Sequence, residues 1–353
     1  MKCLTVVGAK PQFIKAAPMS KALAGQGMEE VLVHSGQHHD DLMSDAFFRE
    51  LGIHEPDYNL GVRGGTHAEI TGEMHQRIEA PIRDEKPDVV LVFGDTNSTR
   101  SGDLAAEKVH VPGAHVEAGL RSYNRRMPEE INRVVTDQLS TLLLCPSAES
   151  LKSPEQEGIV SGVHEVGDVM ADVNRIVAAG IPEISEILGQ LGAQAGDYLL
   201  ATCHRADPER LTSLLSAFGQ LSDLVVFPVH PRTRLAIESG GFKLAPNIRP
   251  VDPVGYPDMM TLLKNTRLLF TDSDGMQKEA YWLGIPCVTL RDETELVETV
   301  ERGWNRLVGA DRSKIIEEVE KGRPPTGRPL LYGDGRTAQK CAALIAELTQ
   351  SLD

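Results

Sequence analysis

Residues Leu268 to Glu295 read LLFTDSDGMQKEAYWLGIPCVTLRDETE, and this pattern predicts a β–α–β unit. Leu268–Thr271 is a short apolar strand, broken by Asp272-Ser273-Asp274-Gly275. A helix-forming run to Leu283 follows, stopped by Gly284 and Pro286, and Cys287–Leu290 is a second apolar strand. The turn places Ser273 and the backbone around Gly275 at a helix N-terminus, where unpaired N–H groups and a partial positive charge suit an anion such as phosphate. A side-chain cap from Ser273 or Asp274 explains the same residues equally well. The turn alone leaves both readings open.

The same rhythm runs outward in both directions. Apolar strands are expected at Lys2–Val7, Glu30–His34, Val89–Phe93 and Gly113–Val116, then at Tyr198–Ala201, Val225–Val229 and Ile248–Val251, with amphipathic helices between. Continuous apolar strands alternating with helices indicate parallel sheets covered on both faces. Ligands of such sheets bind outside the carboxyl ends of the strands. His38, Asp95 and Glu117 sit at such ends in the first half, and His204-Arg205 and Asp272–Gly275 in the second. In Pro128–Leu139, Ile131, Val134, Val135 and Leu139 form an apolar stripe, while Glu129, Asn132 and Arg133 share another side. Between Val163 and Gly196 the pattern loosens, and we place a domain boundary near Gly167. Two α/β halves facing a cleft are expected.

At 353 residues the chain is long for a single core. Its apolar fraction of 41% and charged fraction of 25% are those of a soluble globular protein. A net charge of −15 without a Lys/Arg-rich run disfavours nucleic acid and anionic membranes as partners. The five cysteines form no CxxC pair, and no apolar run is long enough to span a bilayer. With no signal peptide before the first strand, a cytoplasmic protein is expected.

His34 with His38-His39 does not make a convincing metal set, since His34 lies in a strand, pointing away from His38, and no Asp or Glu is spaced to orient the imidazoles. No metal is expected. The absence of GxGxxG and of GxxxxGK[ST] disfavours a bound dinucleotide or an ATPase, and no GxSxG elbow is present. There remain three carboxylates at turns or helix starts (Asp95, Glu117, Glu129), with His204-Arg205 from the other half. Such a set permits proton abstraction and return. The residues alone support an α/β enzyme acting on a phosphorylated small molecule.

The motifs GAKPQFIKAAP (8–18), SGQHHD (35–40), FGDTNST (93–99), HVEAGLRS (115–122), PEEINR (128–133), GDVM (167–170), HR (204–205), FPVHPRTR (227–234) and the opening stretch together resemble the UDP-N-acetylglucosamine 2-epimerase family. RDETELVETVERGWNRLVG (291–309) is closer to the branch acting on UDP-2,3-diacetamido-2,3-dideoxyglucuronate. The resemblance implies a GT-B fold of two Rossmann-like domains, 1–167 carrying the acid/base residues and 168–336 binding the nucleotide, with a terminal helix (337–353) packing back on the first. It also implies 2-epimerisation of a UDP-2-acetamido sugar through elimination and re-addition of UDP, with no cofactor or metal, in a homodimer serving polysaccharide biosynthesis. By motif position Asp95, Glu117 and Glu129 match the family's acid/base carboxylates, and Lys15 and His204 its partners of the leaving diphosphate. Ser273 and Gly275 match the phosphate turn, and Glu279 the residue gripping the ribose. Lys10, His38, Arg133, Arg205, Tyr256 and Asp274 complete the expected substrate contacts.

The sequence departs from the family pattern at several places. Lys10 and Gln12 stand where Arg and Glu are usual, and the segment after Arg205 is shortened to Ala206-Asp207-Pro208-Glu209-Arg210. Asp274 replaces a glycine of the phosphate turn, and Leu296 stands where the N-acetylglucosamine branch often has Arg. A carboxylate at 274 would repel a diphosphate unless it points away or meets a cation. Three other activities fit parts of the pattern: a hydrolysing 2-epimerase, a GT-B glycosyltransferase, which would not need the three carboxylates, and a nucleotide-sugar-binding protein with degraded chemistry.

Overall fold

A computed structural model describes residues 1–36, 54–180, 186–204, 207–294, 296–321 and 325–350. The chain divides into two compact units, Met1–Val173 with Leu330–Asp353, and Asn174–Pro329. Among the described residues the first unit holds seven parallel strands: β1 (Lys2–Val7), β2 (Glu29–His34), β3 (Tyr58–Asn59), β4 (Val89–Phe93), β5 (Gly113–Val116), β6 (Leu142–Cys145) and β7 (Val163–Glu165). Their order is β3-β2-β1-β4-β5-β6-β7, so the winding reverses between β1 and β4.

The central strands are apolar throughout because both faces of the sheet are covered. Leu91 and Phe93 of β4 pack on one side with Phe13, Met19 and Leu23. Val90 and Val92 point to the other side with Met74, Ile78 and Ala105. This two-residue alternation within an unbroken apolar run is the pleat of a strand buried on both faces.

The second unit has six parallel strands: β8 (Tyr198–Ala201), β9 (Leu224–Pro228), β10 (Ile248–Val251), β11 (Leu268–Thr271), β12 (Cys287–Thr289) and β13 (Asn305–Leu307). The order β10-β9-β8-β11-β12-β13 reverses between β8 and β11. The turn after Thr271 in the opening stretch therefore lies at this unit's switch point. The edge strands β13 and β7 and the two-residue β3 carry no apolar run and lie outside the expected strands, as does β6, although its LLLC is apolar.

The first unit ends at Val173 rather than near Gly167, for a local reason. Gly167 (φ 97°) lies against the returning chain, where a Cβ would sit 3.0 Å from the Tyr332 carbonyl and from Gly333 Cα. The Asp168 amide donates to the Tyr332 carbonyl at 2.9 Å. Asp172 then accepts from the Thr337 and Ala338 amides at 3.0 and 2.8 Å, capping the final helix, Thr337–Gln350. That helix buries Cys341, Ala342 and Ile345 in the first unit's core. Among the described residues no helix is long and apolar enough to cross a membrane.

Candidate active site

In the first unit the ends of β4 and β5 lie side by side. The strands pair in parallel up to Phe93 opposite Val116, and the Gly94 amide donates to the Val116 carbonyl at 3.0 Å. This register sets Asp95 and Glu117, the next polar residues on each strand, at neighbouring turns beside the switch point.

Each carboxylate meets a cation. Asp95 accepts from Arg133 Nη2 at 2.5 Å, and its backbone carbonyl accepts from Asn132 Nδ2 at 2.9 Å. Its side chain stays 32% exposed, enough for a ligand to reach it. Glu117 forms an ion pair with Lys15. Glu117 also has a φ of 72°, a left-handed conformation that costs a non-glycine residue on the order of 1 kcal/mol and persists only where the surroundings impose it. Gly94 keeps this corner open, since a Cβ there would come 3.3 Å from Glu117 Oε2 and 3.8 Å from Lys15 Nζ.

Glu129 lies apart from these contacts. It is in the first turn of the helix Pro128–Leu139 and exposed, with no ion-pair partner among the described residues. Its neighbour Glu130 is buried instead and accepts from the Ser122 amide and hydroxyl, both at 2.9 Å, from the Tyr123 amide at 2.8 Å, and from Arg133 at 2.9 Å. Burial alone would raise the Glu130 pKa, but these donors outweigh it and hold the carboxyl below its usual range. Glu130 thus ties the Ser122–Tyr123 loop to the arginine that holds Asp95. Sequence reasoning missed it because the two glutamates are adjacent and only the helix's orientation distinguishes them.

That orientation is itself a correction. The apolar stripe of Ile131, Val134, Val135 and Leu139 is only half-buried, while Glu130, Asn132, Thr136 and Asp137 face inward. The buried face is polar because Glu130, Asn132 and Asp137 serve acceptors and donors of the β4 and β5 turns. Asp137 takes His115 Nδ1 at 2.7 Å on one oxygen. Its other oxygen takes the Gly119 amide at 3.0 Å and Arg121 at 2.7 Å.

Gln12, one of the departures from the family pattern, joins the same region. Its carbonyl oxygen accepts from the Gly8 and Ala9 amides at 2.8 and 3.1 Å. Its amide donates to the Phe93 carbonyl at 2.7 Å and to Thr96 and Thr99, both at 3.0 Å. The turn after β1 is thereby pinned to the turn after β4.

In the second unit, Asp272 is buried at the end of β11 and accepts from the His204 amide at 3.0 Å on both oxygens. The end of β8 is thus fastened to the opening turn. The His204 side chain is exposed, with its ring centroid 5.3 Å from that of His230. Ser273 caps the helix Asp274–Leu283 by accepting from the Met276 amide at 3.5 Å. Asp274 and Gly275 are exposed. Asp274 meets a cation, Arg291, which is 4% exposed, and it also accepts from Gln277 at 3.2 Å. Gln277 in turn accepts from Thr294 and Asn305, both at 3.0 Å. Glu279 is buried on the inner face of this helix. Tyr256 opens the helix Tyr256–Asn265 and packs half-buried against the Met260–Met276 cluster.

The readings of the Lys10 side chain, His38 and Arg205 fall outside the described residues. Among the described residues no group of three His, Cys, Asp or Glu side chains is placed to hold a metal ion.

Two parallel sheets, each with ionisable side chains gathered at its switch point, define a Rossmann-like α/β protein. Residues 21–346 match the family model described as UDP-N-acetylglucosamine 2-epimerase. The chain is 48% identical to the UDP-2,3-diacetamido-2,3-dideoxy-D-glucuronate 2-epimerase of Pseudomonas aeruginosa, over 99% of this chain and 100% of that protein. It is 39% identical to a UDP-N-acetylglucosamine 2-epimerase of Methanocaldococcus jannaschii, over 91% of this chain and 92% of the other. A crystal structure of the M. jannaschii UDP-GlcNAc 2-epimerase in complex with UDP-GlcNAc and UDP superimposes with a TM-score of 0.88 at 36% identity, covering 98% of this chain and 100% of that one. The fold is of the GT-B type. The chain belongs to the UDP-N-acetylglucosamine 2-epimerase family and is an isomerase of UDP-sugars.

Proposed function

We propose that the protein inverts C2 of a UDP-2-acetamido sugar, with a 2,3-diacetamido uronate as the preferred substrate, by eliminating UDP and adding it back. The observation that carries the chemistry is the pairing at the ends of β4 and β5, where Asp95 meets Arg133 and Glu117 meets Lys15 at adjoining turns. The uronate preference rests on the 48% full-length identity to the P. aeruginosa enzyme.

In this mechanism a carboxylate removes the C2 proton while the C1–O bond breaks and UDP leaves with the bonding electron pair. A C1–C2 double bond forms. UDP then re-adds at C1 as a second carboxylic acid returns a proton to the opposite face of C2. Only protons and a diphosphate move, so the chemistry requires no redox cofactor. Asp95 and Glu117 are the acid/base pair, with Glu129 completing the set from the helix start. Lys15 and His204, with Lys10 and Arg205, oppose the charge that develops on the diphosphate. Ser273 and the amides near Gly275 hold phosphate, Glu279 holds the ribose, and Tyr256 lies by the base. His38 and Arg133 complete the sugar side.

The test is to run the reaction in D2O with UDP-2,3-diacetamido-glucuronate and, separately, UDP-GlcNAc. Deuterium at C2 in both recovered epimers of the nucleotide sugar is the expected result. Accumulation of free sugar and UDP, with no label returning to the nucleotide sugar, would establish the hydrolysing activity instead. UDP-sugar binding without any exchange would establish a binding protein.

A further inference from the structure

We propose that the buried His115–Asp137 pair is a positioning device that sets the two turns carrying Asp95 and Glu117. His115 Nε2 lies 2.7 Å from the carbonyl of Gly94, the residue just before Asp95. His115 Nδ1 lies 2.7 Å from Asp137 Oδ1, and Asp137 Oδ2 accepts from the amide of Gly119 at 3.0 Å, two residues beyond Glu117. A single imidazole–carboxylate unit therefore clamps both turns at once.

The Glu117 turn needs such a clamp. Glu117 has the left-handed φ of 72° that favours glycine. Its amide and that of Ala118 both donate to the Leu144 carbonyl, at 3.0 and 3.3 Å. Gly119 packs so tightly that a Cβ would lie 2.0 Å from the Ser150 carbonyl. Asp137 supplies the third successive anchor, on the Gly119 amide. At the other turn, Gly94 is also left-handed, with φ of 63°, and its carbonyl is held by the imidazole.

The hydrogen-bond chemistry fixes the state of His115. A carbonyl only accepts, so Nε2 carries a proton. Asp137 Oδ2 takes the Gly119 amide and the Arg121 guanidinium, which keep the carboxyl ionised, so the contact between Oδ1 and Nδ1 is made by a proton on Nδ1. His115 is therefore an imidazolium, with its side chain fully buried. Arg121 brings a second cation to Asp137 and is itself held by Glu157 through Nε and Nη2, at 2.8 and 2.7 Å. Asp103, from the helix Asn97–Lys108, is the remaining titratable group whose charge His115 feels. Two cations thus stand against two paired anions.

Buried ion clusters of this kind contribute little net stability compared with apolar packing, and their best-attested use is to specify one geometry. Here the geometry specified is the placement of the two carboxylates that the proposed reaction requires, so the inference rests on that reading. His115 and Asp137 are not themselves placed to touch the sugar.

The experiment uses the full-length protein and the variants His115→Gln and Asp137→Asn. Either substitution is expected to lower kcat for C2 deuterium exchange about 10- to 100-fold while leaving the UDP dissociation constant within about twofold. The double variant should be no worse than the poorer single one, because the pair acts as one unit. The pH profile of kcat should shift in both, since Asp95 and Glu117 lose their fixed places beside Arg133 and Lys15. In the unmodified protein, 15N NMR should show both His115 ring nitrogens protonated at pH 8. A folded variant exchanging at the wild-type kcat would overturn the inference. A neutral His115 in the NMR spectrum would also overturn it, even if neither variant folds. No exchange by the unmodified protein would instead sink the proposed function, which separates the two failures.

Discussion

Glu117 and Asp274 show what a single position can and cannot tell. Glu117 stands at the end of a four-residue buried strand, ion-paired with Lys15. In the proposed reaction it moves a proton at C2, so Glu117→Gln should lower exchange by about 10²-fold or more, the usual worth of a positioned acid or base. UDP titration by calorimetry should change little, since the substitution leaves Lys15 in place and Ser273, Gly275, Glu279 and Tyr256, proposed to hold the phosphate, ribose and base, come from the second unit. Retained exchange would assign the proton transfer to another carboxylate. Asp274 raised the question of a negative charge at a phosphate turn, and Arg291 answers it by pairing with that carboxylate. Asp274→Gly removes a favourable helix-start charge, but it also removes a carboxylate that would repel a phosphate at the turn. The expected outcome is a UDP dissociation constant several-fold tighter, with a melting temperature a few degrees lower. Weaker UDP binding would mean that the Asp274–Arg291 pair orders the turn for its ligand. Neither the arginine partner nor the burial of Glu130 beside an exposed Glu129 was legible from sequence, because both depend on which way a side chain faces in three dimensions.

The strands were legible as elements because sheets covered on both faces leave an unmistakable record of consecutive apolar residues, as in VVLVF of β4. The helix Pro128–Leu139 was legible as a helix but not by face. Amphipathic reasoning assigns the apolar side inward, and here the inward side is Glu130, Asn132, Thr136 and Asp137. Such a face is tolerated where most of its polar atoms find partners; Glu130, Asp137 and the Asn132 amide nitrogen find theirs in the β4 and β5 turns, while Thr136 Oγ1 and Asn132 Oδ1 have none among the described residues. Gln12 works in the same way between two elements, as donor and acceptor from one amide group. Gln12→Ala would strip partners from the Gly8 and Ala9 amides and from Thr96 and Thr99 at a buried junction. A loss of about 2–4 kcal/mol in folding free energy is expected, read as a lower denaturation midpoint. A change below about 0.5 kcal/mol would show that water replaces the amide without cost.

At the scale of the molecule, two α/β units followed from the repeated strand–helix rhythm, while the point of division did not. Asp172 and the glycine contact at 167 draw the boundary segment and the returning tail into the first unit, through contacts more than 160 residues apart in sequence. Stability of that unit should carry a signature of pH from Asp103. Its carboxyl is completely buried, and burial pushes its pKa from 3.8 up to about 7, against the pull of the His115 charge and with Glu107 and Asp137 adding to the rise. An acid whose folded value lies above its unfolded value binds more protons when folded. Its ionisation therefore costs nothing below the unfolded value, costs progressively more as pH climbs from 3.8 to about 7, and costs its full amount above that. Asp103→Asn abolishes this penalty. Relative to the native chain, the variant should gain about 2–4 kcal/mol more at pH 8 than at pH 4.5, measured by denaturant unfolding at the two pH values. An equal stability difference at both pH values would show that the Asp103 carboxyl does not titrate in this range.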